Sequence, residues 1–214
     1  IYPLCRYPQT AVGLVFQYPE YQLFEDTCIK DISFGPKNMG LGEEEAKKRA
    51  LEAARLVGLD EKLLAKSPFD LSGGEKRRVA IAGMIAMQPE VLVLDEPTAG
   101  LDPVGRDTVL SMIKEYRAST GAAVIIVSHS MEDMAKTADK LLVMNSGRLC
   151  MFDTVKNVFS HAKELEEIGL DIPEVTKIAS KLADNGLPVD RSIYTVEALF
   201  GAILSIKKGG AINA

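Results

Sequence analysis

Two adjacent carboxylates follow the apolar run VLVL at residues 91–94. A continuous apolar run of this kind is typical of a strand buried on both faces of a parallel sheet, and open α/β sheets bind their ligands beyond the carboxyl ends of such strands. There, Asp95 can hold Mg²⁺, which prefers oxygen ligands and shares them with nucleotide phosphates. Glu96 can orient or deprotonate an attacking water. Taken alone, the pair is equally compatible with two solvated acids at the end of a strand.

A serine and two glycines form a second candidate site, in the segment LSGGE at residues 71–75. Glycines allow backbone N–H groups to approach an anion closely, and a helix that begins here adds unpaired N–H groups and the positive end of its dipole. Ser72 either caps its own helix, with Glu75 completing a capping box, or donates to a phosphate. For this segment alone, the cap is the commoner role.

Three further polar residues stand at the ends of predicted elements. Gln17 ends the short apolar strand predicted at residues 12–17, where its amide can touch a metal or a water. His129 follows a second buried strand, predicted at residues 123–127, and can hydrogen-bond a phosphate or a water. Asp102 precedes a proline, as the N-cap of a helix does. Each residue, taken singly, has a commoner explanation as a solvated or capping group.

Strand and helix patterns alternate between residues 91 and 152, which indicates an α/β fold with a parallel sheet. Residues 145–147, with the sequence NSG, predict a hairpin between strands 140–144 and 148–152. Helical patterns follow from residue 153 onward. Capping and periodicity predict earlier helices at residues 42–57, 72–87, 102–119 and 130–137.

Composition limits the classes of function. Of the 214 residues, 47% are hydrophobic and 26% are charged, which excludes wholesale disorder. The net charge of -5 argues against a protein that mainly binds nucleic acid, which needs a basic face. The three cysteines are far apart, fit no disulfide or metal pattern and favour a reducing compartment. No segment reaches the ~18 apolar residues of a membrane span, so any membrane association is expected to be peripheral.

The order of these segments is similar to that of the ATP-binding-cassette (ABC) ATPases. Gln17 resembles that family's Q-loop, residues 71–75 its signature and residues 91–96 its Walker B motif, while Asp102 resembles the D-loop aspartate and His129 the switch histidine. The resemblance covers about residues 12–152, and its motifs together are far more specific than a single glycine motif. It implies a P-loop NTPase-like α/β core that binds ATP and Mg²⁺ and hydrolyses ATP.

The resemblance also implies a role for each matched residue. Asp95 is expected to hold Mg²⁺, mainly through water, with Gln17 as a second contact that senses the metal and the γ-phosphate. Glu96 is expected to be the catalytic base, and His129 to contact the γ-phosphate. These are polar groups aimed at one point, as phosphoryl transfer requires.

Four residues are expected to act across a dimer of two ATPase subunits, which are identical or different. Ser72, Gly73 and Gly74 would bind the γ-phosphate of the nucleotide held by the second subunit. Asp102 would couple the two sites.

One element of the family pattern is missing from these 214 residues. The Walker A loop, GxxxxGK followed by Ser or Thr, is expected upstream of Gln17, whereas residues 35–40 have only its glycine spacing and lie downstream. We expect an ABC core that lacks its N-terminal lobe rather than a degenerate subunit, because Glu96 and His129 are intact and the first residue is isoleucine. Such a core should expose apolar sheet surface and be inactive in isolation.

Finer resemblance points to the ATPases of energy-coupling-factor (ECF) transporters, through residues 16–24, 76–83 and 96–103. That group pairs two ATPases under a scaffold transmembrane subunit and a substrate-binding transmembrane subunit. It imports vitamins or transition-metal ions, with the ATPases at the cytoplasmic face of bacterial or archaeal membranes. Residues 18–24 would then dock on the membrane partner, or simply pack at a domain edge. The basic residues 76–78 are explained equally well as a solvated helix face.

The implied organisation is a partial ABC domain at residues 1–152, with a helical signature subdomain at about residues 25–88. A C-terminal helical extension at residues 153–214 would contribute to pairing of the ATPases. Two other functions stay open: a non-hydrolysing assembly subunit, and a soluble ABC-type ATPase of repair or translation.

Overall fold

The computed structural model describes residues 12–208 of the chain. These residues form two compact units, which divide between Val127 and Ser128. The predicted domain boundary between residues 152 and 153 stays a prediction. Residues 1–11 and 209–214, which the predicted domains include, lie outside the described residues.

The first unit contains a three-stranded parallel sheet, which confirms the α/β prediction. In spatial order its strands are β1 (Val12–Val15), β2 (Val91–Asp95) and β3 (Ala123–Val127). Val15 lies opposite Leu94, and Asp95 lies opposite Val127. Because the strands run parallel, their carboxyl ends meet at one edge of the sheet, where the candidate residues follow them.

The described part of the first unit contains the α-helices α1 (Cys28–Asn38), α2 (Glu43–Leu56), α3 (Gly73–Ile85) and α4 (Pro103–Thr120). Helix α3 packs against β1 and α4 against β3, whereas α1 and α2 pack against α3. Leu92 and Leu94 of β2 are fully buried and share one apolar core with Val79 of α3 and Met112 of α4. The helices predicted at residues 42–57, 72–87 and 102–119 are confirmed to within two residues at each end.

Helix α1 was not predicted, because it contains Gly35 and Pro36, which disfavour a helix interior. Packing overrides these propensities. Cys28, Ile32 and Pro36 follow one another at intervals of four residues and are all buried, as one face of a helix requires. A Cβ atom at Gly35 would lie only 2.5 Å from the sulfur of Met87, so the glycine allows α1 to approach the end of α3.

The prediction of buried strands is wrong for β1 and β3, which each expose one face, whereas Val91 and Val93 of β2 are half-buried. Val12 and Leu14 of β1 are 55% and 39% exposed, and Ile125 and Val127 of β3 are each 51% exposed. Their neighbours along each strand point toward the helices, because side chains alternate between the two faces. The exposed apolar sheet surface expected from the sequence is therefore present.

The second unit contains a β-hairpin and five helices among its described residues. Its elements are α5 (Met131–Thr137), β4 (Lys140–Asn145), β5 (Arg148–Thr154), α6 (Val155–Ser160), α7 (Ala162–Glu167), α8 (Glu174–Asp184) and α9 (Val196–Lys208). Ser146 and Gly147 have positive φ angles of 51° and 76°, as a type I′ hairpin turn requires. Across residues 12–208, no helix combines the length and the apolar character needed to cross a membrane.

Candidate functional site

The carboxyl edge of the sheet brings Gln17 and Glu96 to the same level. Gln17 lies two residues beyond Val15 and Glu96 two residues beyond Leu94, and Val15 and Leu94 are opposite each other in the parallel pair. The backbone N–H of Glu96 donates to the carbonyl oxygen of Val127 at 2.9 Å. This bond fixes the backbone of Glu96 at the edge of the sheet.

Glu96 adopts a backbone conformation that is unusual for a residue with a side chain. Its φ angle is 46°, in the left-handed region that costs an L-residue roughly 1–2 kcal/mol. A tight turn follows, in which the N–H of Ala99 donates to the carbonyl of Glu96 at 3.1 Å. Asp95 and Glu96 are both half-buried, so neither is a freely solvated acid. Strain of this kind, held by surrounding bonds, is characteristic of functional sites.

Tyr18, directly after Gln17, is also left-handed, with a φ angle of 57°. The chain turns there into a short 3₁₀ helix, Pro19–Gln22. Gln17 itself is exposed. Two strained backbone positions therefore flank the edge where β1 and β2 end.

Ser72 caps α3 through a complete capping box, as the sequence predicted. Its hydroxyl accepts from the N–H of Glu75 at 3.4 Å and donates to a carboxylate oxygen of Glu75 at 2.6 Å. The same carboxylate oxygen accepts from the N–H of Ser72 at 2.8 Å. These hydrogen bonds to the charged form lower the pKa of Glu75. The hydroxyl proton of Ser72 is therefore already committed within α3.

The cap predicts a pH-dependent stability. Because the folded pKa of Glu75 lies below its ordinary value of 4.5, the stabilisation is fully present above pH 4.5 and is lost as pH falls through the lowered value. We expect Glu75→Gln to lower the melting temperature at pH 7, with the difference from the wild type shrinking toward pH 3. Thermal unfolding of the two proteins, monitored by circular dichroism at pH 7 and at pH 3, measures this difference in melting temperature.

The matched control is Glu45→Gln, because Glu45 occupies the same third position of α2, where Gly42 is the N-cap and offers no hydroxyl. It reports the effect of removing a carboxylate from a first helical turn. If the deficit of Glu75→Gln had the same size at pH 3 and pH 7, the charged cap would be ruled out as its cause.

Gly73 and Gly74 begin α3, and Gly73 is exposed while Gly74 is half-buried. A Cβ atom at either position would meet nothing within 4 Å, and neither residue has a positive φ angle. The described fold thus has no internal need for glycine at these two positions.

Asp102 is the N-cap of α4, and its carboxylate accepts from the N–H of Gly105 at 3.1 Å. The local capping role predicted from the sequence is confirmed. The role of Asp102 in coupling two sites stays a prediction.

His129 follows β3 by two residues and is exposed. It belongs to the second unit, and its approach to Gln17 and Glu96 stays a prediction. Within residues 12–208, no group of three or more His, Cys, Asp and Glu side chains is arranged to hold a metal.

The explanation of residues 76–78 as a solvated helix face is wrong for Arg77. Its side chain is buried, with a total exposure of 2%, and it pairs with Glu20. No signal in the sequence distinguished Arg77 from the basic residues beside it, because its partner lies 57 positions away.

Comparison with known proteins identifies the family. A family model described as ABC transporter matches residues 4–99. The energy-coupling factor transporter ATP-binding protein EcfA2 of Caldanaerobacter subterraneus subsp. tengcongensis is 52% identical over 198 residues, which are 92% of this chain and 69% of that protein. The chain belongs to the ABC family of energy-coupling factor transporter ATP-binding proteins. Members of the ABC family hydrolyse ATP, typically with Mg²⁺, and act as dimers.

Solved structures agree with this assignment to the ABC family. The structure of cbiO1 from Clostridium perfringens, part of the ABC transporter complex cbiONQ, is 38% identical, with a TM-score of 0.67 over 83% of this chain and 66% of that one. A dimeric, post-hydrolysis state of an ATP-binding cassette bound to ADP and Pi is 26% identical, with a TM-score of 0.58 over 67% of this chain and 62% of that one. The chain thus spans about two thirds of the length of its relatives.

Proposed function

We propose that this chain is the ATP-hydrolysing subunit of an ECF-type importer of vitamins or transition-metal ions, held peripherally at the cytoplasmic face of the membrane. One observation carries the proposal. In a chain 52% identical to an ECF transporter ATP-binding protein, parallel strands bring Gln17 and the Asp95–Glu96 pair to one sheet edge. The strained backbone of Glu96 supports its role as the base that polarises the attacking water.

The donors at this edge fit Mg²⁺. The carboxylate of Asp95 and the amide oxygen of Gln17 are hard oxygen ligands, and Mg²⁺ commonly takes one or two protein ligands and keeps several waters. When bound with ATP, the ion neutralises charge on the phosphates. The chain's own contribution is to hold Asp95 within the sheet and Glu96 one residue beyond it, so that one carboxylate faces the metal and the next is available for the water.

A second ATPase subunit would complete the site. Gly73 and Gly74 lie open at the positive end of α3, and the fold itself does not require glycine there. Backbone N–H groups at such a helix start are suited to a phosphate. The nucleotide would be held by the partner, and Ser72 would turn its hydroxyl from Glu75 toward the γ-phosphate. Asp102 and His129 would complete the two coupled sites.

The membrane partner would dock on the aromatic segment, residues 18–24, together with Phe34 of α1. Tyr21 is 85% exposed and Phe24 is 56% exposed. Phe24 packs edge-on against Phe34 with ring centroids 4.8 Å apart, and its N–H donates to Asp31 of α1 at 3.0 Å. The segment is therefore exposed yet anchored, as a docking surface for a transmembrane subunit needs to be.

The test uses the complete gene product co-expressed with its transmembrane subunits. We expect Mg²⁺-dependent ATP hydrolysis and sedimentation with membranes, and we expect the double variant Tyr21→Ser/Phe24→Ser to leave the membrane fraction at least tenfold more readily. Phe69→Ser is the control, because Phe69 is 63% exposed in the same unit but outside the aromatic segment. Sedimentation with ribosomes or DNA in place of membranes would overturn the transport function.

A further inference from the structure

Arg77, in the second turn of α3, makes a buried two-point ion pair. Its Nε donates to one carboxylate oxygen of Glu20 at 3.2 Å, and its Nη2 donates to the other at 3.0 Å. The side chains of Arg77 and Glu20 are 3% and 16% exposed. Such parallel bonds fix orientation as well as distance, so α3 is held in one position against the segment that follows Gln17.

The third nitrogen of the same guanidinium reaches a different part of the chain. Nη1 donates to the carbonyl of Ala99 at 2.7 Å and to that of Pro97 at 3.3 Å. The guanidinium carbon also lies 5.9 Å from the ring centroid of Tyr18, within cation–π range. One planar group therefore joins three segments that are distant in sequence.

Each of these segments carries part of the proposed site. Tyr18 and Glu20 directly follow Gln17. Arg77 itself stands three residues after Gly74 on the same helix. The carbonyls of Pro97 and Ala99 lie between Glu96 and Asp102, in the turn that begins at the strained residue.

We propose that Arg77 is a positioning residue that fixes the start of α3 relative to Gln17 and to Glu96. Within one copy of the chain, it would thereby couple the nucleotide contacts made by the start of α3 to the catalytic base, Glu96. This inference rests on the proposed function. A displacement of the Gln17 segment would move Glu20. Because the planar guanidinium of Arg77 is bonded to Glu20 and to the carbonyls of Pro97 and Ala99, α3 and the turn after Glu96 would move with it. Lysine cannot replace Arg77 in this role, because an ammonium group is a point charge and lacks the planar set of N–H donors of a guanidinium.

The experiment compares Arg77→Lys with the double variant Arg77→Met/Glu20→Leu in the complete gene product. Replacing a buried ion pair by apolar side chains of similar volume is often neutral for stability, whereas neither methionine nor leucine can donate to the carbonyls of Pro97 and Ala99. We expect kcat for ATP hydrolysis to fall at least tenfold in both variants. KM for ATP should change less than threefold, and the double variant should stay folded, with a melting temperature lowered by several degrees because two carbonyls lose their donor.

Lys76→Met is the matched control, because it removes a neighbouring positive charge from α3 and leaves the guanidinium of Arg77 and its hydrogen bonds unchanged. It should keep the wild-type kcat. If the double variant recovers stability and kcat together, Arg77 is only structural and the inference is wrong. If the double variant does not fold, Arg77→Lys decides: wild-type kcat in a folded Arg77→Lys protein also overturns the inference. If the wild type itself hydrolyses no ATP, the proposed function falls, and the positioning role falls with it.

Discussion

Replacing Glu96 by glutamine is expected to lower the rate of ATP hydrolysis by about 10²–10⁴-fold, the usual contribution of a positioned general base. Glutamine has nearly the same shape but cannot take a proton from the attacking water. The backbone bond from residue 96 to the carbonyl of Val127, at 2.9 Å, does not involve the side chain and should persist. Steady-state hydrolysis by the complete gene product measures the effect, and calorimetric titration with ATP should show binding within a few-fold of the wild type.

Glu90→Gln is the matched control for this prediction. Glu90 directly precedes β2 at the opposite end from Glu96, and it is exposed. The same change of charge next to the same strand, but at the end away from the carboxyl edge, should leave hydrolysis unchanged. Equal activity of the Glu96→Gln and wild-type proteins would instead favour the non-hydrolysing assembly subunit.

Local chemistry made part of this site predictable from the sequence. The capping box of Ser72 and Glu75 and the N-cap of Asp102 depend on residues three positions apart, so the pattern of side chains is sufficient to find them. The placement of Gln17 and Glu96 at one edge was also predictable, because both follow short apolar runs and parallel strands end together.

The features that the sequence did not predict depend on contacts between residues that are distant in the chain. The pairing of Arg77 with Glu20 joins residues 57 positions apart, and Lys76 and Arg78 offer the same charge at neighbouring positions. The exposure of one face of β1 and β3 depends on what covers Val12 and Ile125, which strand composition does not reveal. Helix α1 forms despite Pro36, because burial of its apolar face outweighs propensity.

The second large effect on ATP hydrolysis is expected at Gly73 and Gly74, the glycine pair that begins α3. Gly74→Asp is expected to reduce ATP hydrolysis by roughly 10³-fold while leaving the fold intact. A carboxylate about 4 Å from a phosphate charge costs ~4 kcal/mol at an effective dielectric constant near 20, and each ~1.4 kcal/mol is a tenfold change in rate. A Cβ at Gly74 meets nothing within 4 Å, so no clash within the described fold accompanies the change.

Stability should respond in the opposite direction, and this separates the proposed role from a structural one. An acidic side chain in the first turn of a helix interacts favourably with the helix dipole, by about 0.3–1 kcal/mol, and aspartate loses less backbone entropy than glycine. The melting temperature of Gly74→Asp should therefore equal or exceed that of the wild type. Gly74→Ala, which adds a methyl group without charge, should lose less activity than Gly74→Asp.

Gly42→Asp provides the control, because Gly42 is the exposed N-cap of α2 and a Cβ there also meets nothing within 4 Å. It should be stabilised for the same reasons and should keep its ATPase activity. Activity close to the wild type in Gly74→Asp would mean that the glycines merely begin a helix and that no phosphate approaches α3. A marked fall in its melting temperature would show that glycine serves the fold after all, so only loss of activity with retained stability supports a nucleotide shared between two copies.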